Sequence, residues 1–245
     1  MFGLGTLINT GAIIVAGIIG SLFGSRLKPR FQETLVTACG VSVLFIGISG
    51  ALEGMIKVTS GQVSSARSMF VTICLVVGAF IGELFDFEGI FERFGEWLKI
   101  KSGNAKDKNF VNAFLTASFT VCIGAMAIVG ALEDGMFGDY TLLAVKATLD
   151  FIIVTVMTCS MGKGAAFSAI PVFVLQGAVT ALAGVVKPFM TQSALSCLSF
   201  VGSILIFCVG LNLVWGKKVK VANFLPAIIL AIALSFVPES VAWLY

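Results

Sequence analysis

Histidine is missing from the 245-residue sequence, and charged residues make up only 12% of it. Without histidine there is no histidine-ligated haem, no histidine-bound zinc and no serine–histidine triad. Soluble domains carry about 25% charged residues. The small charged share, with 58% apolar residues and a mean hydropathy of +1.05, excludes a soluble domain, a nucleic-acid-binding module and a disordered chain. Cysteine occurs six times, at Cys39, Cys74, Cys122, Cys159, Cys197 and Cys208, but never as C-x-x-C. All six fall in apolar stretches and read as small buried side chains. No P-loop is present, and residues 1–23 lack the basic start and A-x-A pattern of a cleaved signal. One aspartate alone, Asp150, lies deep in an apolar run, so the paired aspartates of an intramembrane protease are lacking too. The chain is expected to be no enzyme and to need no cofactor.

What it has instead is 27 glycines, 22 phenylalanines and long apolar runs, the composition of helices packed in lipid. A span needs ~20 largely apolar residues to cross ~30 Å of hydrocarbon. Eight candidates follow: residues 3–23, 34–52, 69–85, 111–132, 141–160, 166–186, 195–215 and 221–237. A seven-span arrangement is the main competitor. With the N-terminus outside, the cytoplasmic loops hold Arg26, Lys28, Arg30, Arg93, Lys99, Lys101, Lys106, Lys108, Lys163, Lys217, Lys218 and Lys220, twelve of the sixteen basic residues. That is the positive-inside bias. The expected fold is an all-α integral membrane protein with about eight transmembrane helices, multi-pass in a plasma membrane.

Between the third and fourth spans, residues 88–101 place Ile90, Phe91, Phe94, Trp97 and Leu98 at helical spacing opposite Glu92, Arg93, Glu96 and Lys99. This predicts an amphipathic helix in the cytoplasmic interface. Two short segments also recur. GIIGSLF at 17–23 resembles GAFIGELF at 78–85, and GALEGM at 50–55 resembles GALEDGM at 130–136. The chain thus reads as one polytopic domain, residues 1–245, with repeat-like pairs 3–55 and 69–136. An echo of GSRLKPRF in GVVKPF suggests a third copy at 166–215. Internal repeats are a recurring plan of secondary transporters.

Candidate functional residues are those that hydrocarbon penalises. Asp150 lies about 13 Å into the fifth span at 1.5 Å per residue, with Lys146 four residues earlier on the same face. A charge at mid-bilayer costs at least ~2.5 kcal/mol, so the pair is either a pathway element or a self-neutralising structural bridge. Asn9 in span one, Thr116 and Thr120 in span four, Gln176 in span six and Asn212 in span seven are neutral groups able to ligate an ion or to bond a neighbouring helix. The small-residue face of span one reads as close helix packing ahead of a pore lining, and that of span four suits either. Glu133 and Asp134, followed by Asp139, suggest an acidic outer entrance that concentrates cations.

The stretch ASFTVCIGAMAIVGALEDGM at 117–136, with GTLINTGAIIVAGIIGSLFGSRL near the start and GLNLVWGKKVKVANFLPAI near the end, resembles the domain-of-unknown-function 554 family, the YdfK/YqgA-type bacterial membrane proteins. The resemblance covers essentially the whole chain, and it matches the family's lysine and Leu-Asp with Lys146 and Leu149–Asp150. Two places depart from it: Phe151 follows the aspartate where a glycine is usual, and Asn112–Ala113 replaces a glycine. The resemblance implies a membrane fold and points toward sodium movement. The expected function is a transporter or channel for a small solute or cation, with a bound sodium ion at a polar site between repeats. The alternative is a membrane scaffold or sensor. The expected partners are the lipid bilayer, the solute and a second copy of the chain in a homodimer.

Overall fold

A computed structural model describes residues 3–24, 26–59 and 62–237. The helices are α1 (Leu4–Gly24), α2 (Pro29–Met55), α3 (Ser68–Leu84), α4 (Phe87–Lys101), α5 (Phe110–Cys122), α6 (Ala125–Phe137), α7 (Thr141–Met161), α8 (Ala169–Ala181), α9 (Ala183–Val186), α10 (Gln192–Trp215) and α11 (Pro226–Leu234). Between α2 and α3 an antiparallel hairpin pairs β1 (Ile56–Thr59) with β2 (Gln62–Ser65), an element that apolar periodicity did not predict. Short 3-10 turns, Lys163–Ser168 and Val221–Phe224, lead into α8 and α11.

Five unbroken segments are long and apolar enough to cross a membrane: α1, α2, α7, Lys163–Ala181 and α10. The count reaches seven if each of two bent pairs is one span, α3 with α4 at 56° and α5 with α6 at 63°. This is an all-α membrane protein, and it qualifies the expected eight. The last segment forms only the short apolar helix Val221–Leu234. Its regular part, α11, has 9 residues and so reaches ~14 Å, under half of a ~30 Å hydrocarbon core.

The fourth segment, expected as one helix over 111–132, is broken. Gly124 takes φ +144°, a conformation closed to residues with a Cβ, and the helix restarts at Ala125. The break lies beside the middle of α10, where Ile123 and Gly124 approach Gly202.

Helix directions follow from which ends meet. Gly5 of α1 touches Leu143 of α7 at one end, and Gly24 touches Cys159 at the other, so α1 and α7 run parallel. Gly40 meets Val214 while Gly54 meets Phe200, so α2 and α10 run antiparallel. Gly78 and Gly82 of α3 lie on Ala227 and Asn223, which sets α3 against α11. One face of α1 packs closely on α7 and the 3-10 turn after it: a Cβ on Gly20 or Gly24 would come within 2.6 and 2.8 Å of Thr158 and Cys159 of α7, and one on Gly17 within 2.3 Å of Ala166 in the turn. That part of the small-residue face is therefore helix packing. The two recurring glycine segments each pack on a 3-10 turn or its neighbouring helix, but on different partners.

α4 matches the expected amphipathic helix. Its apolar residues divide between two environments. Phe91 meets Phe119 of α5 edge-on, Phe94 lies tilted against Phe114 while partly exposed, and Leu98 is buried, whereas Ile90, Trp97 and Ile100 remain exposed.

Candidate functional site

The seam between α1, α7 and α8 carries the charged groups of the membrane interior. Because Lys146 and Asp150 are four residues apart, one turn of α7 brings them together. The Lys146 ammonium donates to both carboxylate oxygens of Asp150, at 2.8 Å each. From α1, the Asn9 amide Nδ2 donates to Asp150 Oδ2 at 3.0 Å and to Gln176 Oε1 of α8 at 3.3 Å. Asn9 and Gln176 are fully buried, Asp150 is 3% and Lys146 8% exposed. The cluster carries no net charge, and three buried polar atoms in it or beside it have no partner: Asn9 Oδ1, Gln176 Nε2 and Thr10 Oγ1. The Cys122 thiol, at the end of α5 beside the helix break, is within electrostatic range of Lys146 and Asp150.

One layer toward the helix ends lies a second polar group. The Thr6 and Thr180 hydroxyls are 3.2 Å apart, and Thr180 donates to the Ala131 carbonyl at 3.1 Å. Asp134 Oδ2 accepts from the backbone N–H of Gly5 at 2.9 Å and of Thr6 at 3.3 Å, while its Oδ1 has no partner. This corrects the acidic entrance. Asp134 is fully buried and caps α1, where a negative charge suits the helix N-terminus, and Glu133 is half-buried. Asp139 is exposed and accepts from the Thr141 N–H at the start of α7. Hydrogen bonds from the Thr141 hydroxyl and backbone hold its carboxyl below the usual range.

In the other direction the seam turns apolar. Ile13, Ala16, Val121, Val154, Ala169 and Val172 form a separate buried cluster. Beyond it opens a polar recess of about 860 Å³, lined in part by Ser21, Gln32, Asn104, Thr158 and Lys163. Thr158 is 2% exposed and its hydroxyl has no partner. Along α1, α7 and α8 the order is therefore polar layer, ion pair, apolar plug, polar recess.

The remaining predicted residues lie elsewhere. The Thr120 hydroxyl bonds the Thr116 carbonyl of its own helix at 2.7 Å. Thr116 faces a small pocket shared with Glu88, Asn112 and Lys217. Asn212 lies in the last turn of α10. There it accepts from the N–H groups of Lys218 and Val219 and donates to the Val219 carbonyl, all within 2.9 Å, which occupies both ends of its amide in holding the following loop. Thr6 belongs to the small and polar face of span one, three residues before Asn9; Thr180, four residues after Gln176 on the same helix face, is a site residue that the sequence alone did not single out.

A second charged network joins α3 and α4 to the loop before α11. Lys217 contacts Glu88 at 2.8 Å and Glu92 at 2.5 Å, and Lys220 contacts Glu83 at 2.8 Å. Glu88 also accepts from the Ala222 N–H at 3.1 Å, and Asn223 Oδ1 accepts from the Glu88 N–H at 2.7 Å. Partial burial opposes the Lys217 charge, but Glu88 and Glu92 outweigh it and raise its pKa; Glu83 raises that of Lys220. Among the described residues no group of three or more histidine, cysteine, aspartate or glutamate side chains is placed to hold a metal ion, and the six cysteines are unpaired.

Compared with known proteins, residues 4–236 match the family model described as protein of unknown function, DUF554. An uncharacterized membrane protein of Bacillus subtilis strain 168, YdfK, is 29% identical over 233 residues, covering 95% of this chain and 96% of its own. An uncharacterized protein of Escherichia coli strain K12, YqgA, is 28% identical over 244 residues, covering 98% and 97%. No solved structure matches the chain.

Proposed function

We propose that this chain, which belongs to the DUF554 family, moves a small cation across a bacterial plasma membrane, with Asn9, Lys146, Asp150 and Gln176 as its central site. The observation that carries this reading is a buried ion pair at mid-helix, bound to Asn9 and through it to Gln176, two carboxamides that keep unpartnered polar atoms. Each unsatisfied buried polar group costs about 1–3 kcal/mol, and a buried ion pair is often matched in stability by apolar residues of equal volume. Packing alone gives no reason to keep both. Passage of an ion does, because a permeating cation needs oxygens that can replace its water. The polar layer beside Asp134 and the recess beside Thr158 flank the site along the same seam, and the apolar plug supports an occluded state between them. No catalytic step and no cofactor belong to this reading.

The test is flux into proteoliposomes, screened over sodium, potassium and protons with and without a membrane potential. Asp150→Asn keeps the side-chain shape and removes the charge. It is expected to abolish flux while the protein still folds. Undiminished flux through a folded Asp150→Asn protein would remove Asp150, and the cation reading with it.

A further inference from the structure

The polar recess beyond the apolar plug has a charge of its own. Lys106 and Lys163 line it, and both are exposed. Among the described residues neither pairs with a carboxylate, whereas Lys99, Lys217 and Lys220 all do. The acidic lining residue, Asp107, already accepts from the Asn109 N–H at 2.9 Å through Oδ1. Two lysines against one aspartate leave the lining positive. The connection between Gly24 and Gln32, both lining residues, adds Arg26, Lys28 and Arg30, all exposed. The buried Thr158 hydroxyl, which has no partner, is a neutral donor in the same lining. A concave surface of this charge attracts an anion, and lysine is a common partner of phosphate.

The recess does not end in water alone. It shares Ser21, Asn104 and Lys163 with an apolar groove of about 620 Å³ between α1 and α8. Ile14, Ile18, Phe167 and Ile170 line that groove, and the small residues Gly17 and Ala166 lie between them. Ile14, Ile18 and Ile170 are 49%, 56% and 37% exposed, which on a membrane helix means exposed to lipid. From Leu22 to Ile14 the groove follows α1 for ~12 Å at 1.5 Å per residue. That is most of one leaflet's share of a ~30 Å hydrocarbon core. A free phosphate in water would use the recess and leave the groove empty.

We propose that this end of the α1–α8 seam holds one anionic phospholipid, with its phosphate in the recess beside Lys106 and Lys163 and an acyl chain along the groove. Basic pockets between membrane helices recognise phospholipid headgroups by the same combination of charge and adjoining apolar surface. The phosphate would offset the positive charge at this end of the seam, so the inference is compatible with the cation reading, but it does not rest on it.

The test titrates the purified full chain in detergent with phosphatidylglycerol, with phosphatidylcholine of the same acyl chains, and with glycerol phosphate. Native mass spectrometry counts the molecules retained. Wild type is expected to retain one phosphatidylglycerol in preference to phosphatidylcholine, and no glycerol phosphate at the same concentration. Lys106→Gln combined with Lys163→Gln should weaken phosphatidylglycerol binding about thirtyfold. The melting profile should not change, because both side chains are exposed. Ile18→Trp, which fills the groove, should weaken both lipids. Arg93→Gln combined with Lys218→Gln removes the same charge elsewhere at the basic end and should leave binding as in wild type. Glycerol phosphate retained as well as the lipid would make the recess a site for soluble anions. Equal retention of the two lipids would remove the lysines from the site, and undiminished binding in Ile18→Trp would remove the groove. Equal weakening by the two double variants would make the attraction diffuse. Each of these four results overturns the proposal, and none of them bears on cation flux.

Discussion

Two lysine–carboxylate systems lie at different depths of this molecule, and their contrast separates structure from function. At mid-helix, Lys146 and Asp150 have side chains only 11% and 4% exposed. At the basic end, Lys220 and Glu83 are 55% and 63% exposed, and Lys217 bridges Glu88 and Glu92 from a side chain 43% exposed. The second system needs no transport to explain it. It ties the interfacial helix α4 to the loop before α11, and exposed pairs contribute only about 0–1 kcal/mol each. The first system is costly to bury, and its neighbours have polar atoms left over. Identical side-chain chemistry is thus solvated in one region and almost wholly desolvated in the other.

The largest expected effect comes from stranding the buried carboxylate. Lys146→Met should lower stability in detergent by about 3–5 kcal/mol, the cost of breaking a buried pair from one side, read as a fall in the melting temperature. Asp150→Asn should cost markedly less, because its amide oxygen can still accept from the Lys146 ammonium and from the Asn9 N–H. Equal losses in the two variants would erase the asymmetry on which the comparison depends.

A middle-sized effect belongs to Glu88, the one carboxylate of the basic-end network that is nearly buried, at 6%. Glu88→Leu removes the acceptor of the Ala222 N–H and one of two partners of Lys217. It should cost about 1–3 kcal/mol and speed hydrogen exchange in residues 216–224, while leaving cation flux at the wild-type rate. Loss of flux in that variant would mean that the two charged systems are coupled.

Much of this was legible in the sequence, and the reason differs by residue. Lys146 and Asp150 stood out because charge in an apolar run has so few explanations, and the i, i+4 spacing gave their contact directly. Asn9 and Gln176 were visible as polar residues on greasy helices, but nothing in one chain read linearly says that positions 9, 150 and 176 meet; that takes the packing of α1 on α7 and α8. Asp134 misled for the converse reason. An acidic residue followed by Asp139 looks like a solvated loop, and only the fold shows the start of α1 lying over it. The break at Gly124 was hidden because glycine on a membrane helix ordinarily signals close packing, as it does at Gly17 and Gly20. Asn212 lies inside the seventh apolar run, and nothing in that run shows that its amide turns to the loop just beyond α10.

The smallest expected effect is one of pH, and it has opposite signs at the two ends of the molecule. Carboxylate partners raise the pKa of Lys217 and Lys220 above the ordinary lysine value. Their contribution to holding the loop against α3 and α4 is therefore complete below about pH 10.4, the unperturbed lysine value, and is lost as pH rises through the raised values. Asp139 is the reverse case. The hydroxyl and N–H of Thr141 depress its pKa, so its tie to the start of α7 is present at neutral pH and disappears as pH falls through that depressed value. Hydrogen exchange, corrected for its intrinsic pH dependence, should show residues 216–224 loosening on the alkaline side and the first turn of α7 on the acid side. Because these groups are mostly exposed, neither change should move the global melting temperature measurably. Loosening of residues 216–224 and of the first turn of α7 on the same side of neutrality would break that contrast.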